Sequence, residues 1–93
     1  MRQVDAGVAS VSVRTDDVVS TVVDGQVVLL DLRRATYLRI NRSGAVLWER
    51  LELGASRDEL STALAQRYGI DASCASTDVE QFLAMLEARD LLA

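Results

Sequence analysis

The chain predicts a small α+β domain in which a three-stranded antiparallel β-meander is followed by three α-helices. Three observations carry that expectation. Two runs rich in β-branched residues flank Asp24-Gly25, a short alternating segment follows at 36–40, and from Asn41 onward the apolar residues recur at helical spacing. The change from strand chemistry to helix chemistry falls within residues 31–48.

The hairpin comes first. Residues 18–23 and 27–32 are the two β-rich runs, and Asp24-Gly25 between them suits a tight type I′ turn, whose central residues both need positive φ. Val27, Val28, Leu29 and Leu30 are apolar in succession, which predicts a central strand covered at least partly on both faces. A third strand must lie beside it. Residues 36–40 supply that strand after the turn Arg33-Arg34-Ala35, with Leu38 and Ile40 on one face and Tyr37 and Arg39 on the other. No partner is evident for its far edge.

Helix signals take over at Asn41, an N-cap whose side chain accepts from an otherwise unpaired amide, opening a first helix over about 42–51. Gly44, Leu47, Trp48 and Leu51 form its buried stripe, with Gly44 permitting close approach to the sheet. Gly54 ends that unit. Ser56 and Glu59 make a capping box for a second helix with a stripe at Leu60, Ala63, Leu64 and Tyr68; Gly69 stops it and Ile70 folds back onto its last turn. Residues 71–76 read as a loop. Thr77 and Glu80 then form a further capping box for a third helix through Arg89, with a core stripe at Val79, Phe82, Leu83 and Leu86. Beside it runs a second stripe of Asp78, Gln81, Met85 and Arg89. The sum is a domain of winged-helix character. Residues 1–17 read as a mobile lead-in or a short strand, since Val11 and Val13 alternate with Ser10 and Ser12, and residues 18–93 as the domain proper.

Composition excludes several kinds of protein. The 93 residues carry ten arginines, no lysine and fourteen acids, for a formal charge of −4. That balance opposes general binding to phosphate backbones. A winged-helix regulator of DNA stays open as an alternative, but its recognition helix should be basic, and the second and third helices carry Asp58, Glu59, Asp78, Glu80 and Glu87. With no histidine and one cysteine, Cys74, neither a metal cluster nor an intrachain disulfide can be assembled. A hydrolase fails for want of a base to activate Cys74 or a serine, so no catalytic residues, no cofactor and no metal are expected. No run approaches the length that spans a bilayer and the N-terminus lacks a signal-peptide core, which places the protein in the cytoplasm with no membrane partner.

The set Leu30-Asp31, Tyr37, Ile40-Asn41, Gly44 and Trp48, with two capped helices and Leu91-Leu92 after it, resembles the PqqD-like family. Members of that family act as leader-peptide recognition elements in the biosynthesis of ribosomally made, modified peptides (RiPPs). The resemblance spans about 18–92, and Ala35 stands where the family pattern places glycine. A short acidic stand-alone chain is most similar to the leader-binding protein of lasso-peptide systems, which hands the precursor to a separate protease. Other members assist quinone cofactor maturation or are fused to modifying enzymes.

What the resemblance implies is a peptide added as a strand to the edge at 36–40, in a groove beside the third helix. An unpaired edge offers backbone donors and acceptors to any sequence, and flanking pockets select side chains. The implied peptide-binding set is Thr36, Tyr37, Leu38, Arg39, Ile40, Asp78, Gln81, Phe82, Met85 and Arg89. Implied partners are a precursor leader peptide, a stand-alone cysteine leader protease and a cyclase, with no nucleic acid. Trp48, Leu38 and Ile40 also read as core residues. Methionine suits surfaces that accept varied peptides, and an acidic peptide segment would engage Arg39 and Arg89. The pair Arg33-Arg34 reads as polar punctuation in a turn.

Overall fold

The computed structural model describes residues 10–93, so residues 1–9 of the lead-in expected over 1–17 lie outside them. Element order is β1 (Ser10–Val11), β2 (Val18–Val23), β3 (Gln26–Asp31), β4 (Thr36–Ile40), α1 (Arg42–Leu53), β5 (Ala55–Ser56), α2 (Arg57–Tyr68) and α3 (Ala72–Ala88). Strands β2, β3 and β4 form the expected antiparallel meander in that spatial order, and β1 pairs with β5 in a separate two-stranded ladder.

Asp24 and Gly25 both take positive φ, 53° and 77°, so the β2–β3 connection is the tight turn their chemistry calls for. Register follows from it: Val23 faces Gln26, Ser20 faces Leu29, and Leu29 faces Leu38 on β4. One face of the sheet therefore carries Val27, Leu29, Leu38 and Ile40, and the helices cover it. Leu47, Trp48, Leu51, Leu60, Leu64, Val79, Leu83 and Leu86 complete the core. The other face is open. Of the strand expected to be covered at least partly on both faces, Val28 is half-buried on this side and Leu30 is 44% exposed, because all three helices pack on the other side and an antiparallel sheet tolerates water here.

Asn41 caps α1 through its Oδ1, which accepts from the Gly44 amide at 2.9 Å, and α1 runs on to Leu53, two residues past the expected end. Gly44 sits where the helix crosses β4 and α3. A methyl group there would lie 2.5 Å from Ile40 Cγ2 and 3.0 Å from Phe82 Cε1. The capping box on α2 is present in both directions, and Gly69 ends the helix in left-handed backbone at φ 63°. Tyr68, expected in the buried stripe, is 44% exposed at the last turn.

The largest correction concerns α3. It starts at Ala72, so residues 71–76 are not a loop: Asp71 is the N-cap, accepting from the Cys74 amide at 2.8 Å and from Ser73 Oγ at 2.9 Å. Thr77 lies inside the helix, where its Oγ1 donates to the Ser73 carbonyl, and Glu80 pairs with Arg57 rather than closing a box. Small residues of the first turns carry no apolar stripe, yet Ala75 is fully buried and anchors them. At the far end Arg89 is the C-cap.

Candidate peptide-binding site

A ladder partner on one side only leaves the outer edge of β4 open among the described residues. Alternation divides its side chains. Leu38 is half-buried and Ile40 buried on the helix side, whereas Tyr37 and Arg39 are exposed on the open face. Ile40 has its side chain in the core and its backbone turned toward Val27 of β3, so the backbone groups that face the open edge are those of Tyr37 and Arg39.

Two hollows lie at the ends of this edge. The first, about 140 Å³, is lined by Leu29, Asp31, Arg34, Thr36, Tyr37, Leu38, Arg89 and Leu91. The second, about 450 Å³, lies between α1, α2 and α3 and is lined by Asn41, Ser43, Gly44, Leu47, Leu64, Tyr68, Ile70, Asp78, Gln81 and Phe82. The two hollows together take in Thr36, Tyr37 and Leu38 of the strand and Asp78, Gln81, Phe82 and Arg89 of the α3 stripe. Met85 lies between the two along α3, and both it and Phe82 are partly buried apolar side chains packed on the rim of the core. Arg39 belongs to the opposite face of the sheet.

The first hollow is held by a network that local sequence does not announce. Arg14 reaches across to Asp31 at 3.2 Å, with both side chains almost wholly buried, and donates to the carbonyls of Asp16 and Asp90. Asp31 also accepts from the amides of Arg33 and Arg34, which fixes the turn before β4. Backbone bonds from Arg14 to Leu91 and from Ala93 to Ser12 tie the C-terminal residues to the same corner. Sequence reasoning missed Arg34, Leu29, Asp31 and Leu91 here, and Gly44, Leu47, Leu64, Tyr68 and Ile70 at the other hollow. These come together only through tertiary closure; the nearest local signal was the Leu91-Leu92 pair.

The sheet has a second open edge, β2, which borders a broad depression lined in part by Val22, Val46, Trp48 and Leu53. Trp48 is a core residue as expected, and its Nε1 is buried without a hydrogen-bond partner. Neither a charge nor a proline guards β2, whose sequence is Val-Val-Ser-Thr-Val-Val.

Reactive chemistry is sparse. Cys74 is exposed, and the neighbouring Asp71 carboxylate pushes its thiol pKa up, the direction opposite to activation. No group of three or more potential metal-ligating side chains occurs among the described residues. No helix among them is long and apolar enough to cross a membrane.

Comparison with known proteins bears on this geometry. The family described as coenzyme PQQ synthesis protein D (PqqD) matches residues 26–92. Among solved structures, one described as TbiB1 in complex with the TbiA(β) leader peptide superposes with a TM-score of 0.78 at 35% identity, covering 84% of this chain and 91% of that one. No protein of curated function matches the chain. The chain belongs to the PqqD family.

Proposed function

We propose that this protein binds the leader segment of a ribosomally made precursor peptide and presents it to separate maturation enzymes, in lasso-peptide biosynthesis. The observation that carries the reading is the open edge of β4 with a hollow at each end and the α3 side chains Phe82 and Met85 between them. A strand adding there gains a ladder of main-chain hydrogen bonds and buries apolar side chains against α3. Support comes from TbiB1, whose structure is described as a leader-peptide complex. The binding set is Thr36 to Ile40 with Asp78, Gln81, Phe82, Met85 and Arg89. Tyr37 and Arg39 contribute backbone to the ladder.

The module is a non-catalytic, cytoplasmic adaptor, and its onward partners are a leader protease of the cysteine class and a cyclase. The open face of the sheet supports a protein partner: Val19 faces Leu30 and Leu30 faces Tyr37, forming an exposed apolar row across all three strands. A short precursor gene, an asparagine-synthetase-like cyclase gene and a cysteine-protease gene beside this one would place it in the lasso pathway. A role in quinone cofactor maturation, which the PqqD description favours, would instead predict the genes of that pathway.

Titration of the labelled cognate leader tests the groove. Met85→Glu puts a charge against the apolar wall and should weaken binding by at least about 1–2 kcal/mol, the scale of a lost interface anchor. Glu87→Lys, an exposed position on the same helix, should change affinity little. Leu30→Arg should leave leader binding intact and slow leader removal by the protease. Unchanged binding in Met85→Glu, with circular dichroism confirming the fold, would move the site away from α3.

A further inference from the structure

Charge is distributed unevenly around the groove, and the first hollow is where this acidic chain is cationic. Its floor is apolar, made by Leu29, Leu38 and Leu91, and two arginines, Arg34 and Arg89, stand in its wall. One carboxylate, Asp31, also lines it, but that group is already satisfied: Arg14 holds one oxygen, and two turn amides hold the other. The two arginines are not satisfied in the same way. Arg34 reaches only Asp90, at 3.7 Å with both side chains about half exposed, and Arg89 forms no ion pair among the described residues. Since a pair that exposed is weak, Arg34 can exchange Asp90 for a better-placed acceptor at little cost.

We propose that this hollow is a carboxylate-binding subsite, taking one glutamate or aspartate side chain of the bound peptide between Arg34 and Arg89. The inference rests on the leader-binding reading and adds to it the chemistry that sets register. A volume of about 140 Å³ holds one side chain and not a longer segment. The apolar floor receives the methylene stem while the guanidinium groups, planar and multiply donating, receive the carboxylate. Net charge adds discrimination. On a chain of formal charge −4 an acidic peptide is repelled in general and attracted at this mouth, so a carboxylate in any other register is penalised. Arg39, which the sequence pairs with Arg89 for this task, lies on the opposite face of the sheet; the structure puts Arg34 in its place.

The test is a selection of random-peptide display libraries on the full chain, followed by affinity measurements on selected peptides that Met85→Glu releases. The expected result is a Glu or Asp enriched at one fixed position. Changing that residue to Gln or Asn should weaken binding about fivefold at low salt and less at high salt. In the Arg34→Gln/Arg89→Gln double variant, the acidic and amide peptides should bind alike, with circular dichroism confirming that these surface changes leave the fold intact. Groove-binding peptides with no acidic preference overturn the subsite and leave the leader-binding reading standing. So does an acid-to-amide penalty that persists in the double variant. Recovery of no groove-binding peptide at all overturns both.

Discussion

Ala35 holds left-handed backbone, φ 52°, at the end of the turn that Asp31 organises, and it is the one residue with positive φ among the described residues that is neither glycine nor aspartate. Aspartate tolerates that region through local hydrogen bonds; alanine has only the clash of its Cβ with the backbone. The expectation of glycine at this position has that strain as its physical reason. Ala35→Gly should therefore stabilise the protein by about 1 kcal/mol, less whatever the added freedom of the unfolded chain subtracts. In a domain of this size each kcal/mol of net gain raises the melting midpoint by roughly 4–8 °C. A thermal melt showing a lower midpoint would mean that the turn gains something from the alanine side chain. Gly44 illustrates the opposite constraint at the same scale, since Ile40 and Phe82 leave its Cβ position no room.

Among the elements, α3 supplies the helical wall of the proposed site, and its origin lies at Asp71. The bonds from the Cys74 amide and Ser73 hydroxyl hold the Asp71 carboxyl below its ordinary pKa, and those from the Ser56 amide and hydroxyl do the same for Glu59 at α2. A lowered folded pKa means stability that is present above the unfolded value and lost as pH falls through the folded one, so both caps weaken below about pH 4. Asp71→Ala should lower the midpoint at pH 7 by several degrees, whereas Thr77→Ala, inside the helix, should move it little. Asp71→Asn keeps the acceptor and should retain stability at pH 7 while flattening the acid limb. Equal losses for Asp71→Ala and Thr77→Ala in thermal melts would return the helix start to Thr77. The error in reading residues 71–76 as a loop has a physical cause. Ser73, Cys74 and Ser76 are polar or small, and only Ala75 is buried, so the apolar period that marks a helix begins four residues late. The hairpin, β4, the Asn41 cap and the Ser56–Glu59 box were legible because each rests on contacts within a few residues. Both hollows were not, because Arg14, Asp31 and Leu91, or Gly44, Leu64 and Ile70, meet only after the chain has closed.

Across the whole molecule, one three-stranded sheet divides the work. Its covered face builds the core with α1, α2 and α3, its open face presents the apolar row Val19, Leu30 and Tyr37, and its β4 edge runs between two hollows. A peptide strand on that edge would become the fourth strand and extend the open face, so the recognised peptide and the surface offered to a partner enzyme would be contiguous. Only backbone pairing on β4 makes this arrangement possible, and β2 is the competing edge. Hydrogen exchange of the backbone amides, measured with and without saturating cognate leader peptide, separates the two directly. The account predicts new protection at the outward-facing amides of residues 36–40, with exchange at 18–23 unchanged. Protection appearing at 18–23 instead, or binding with no protection on either edge, would contradict strand addition at β4.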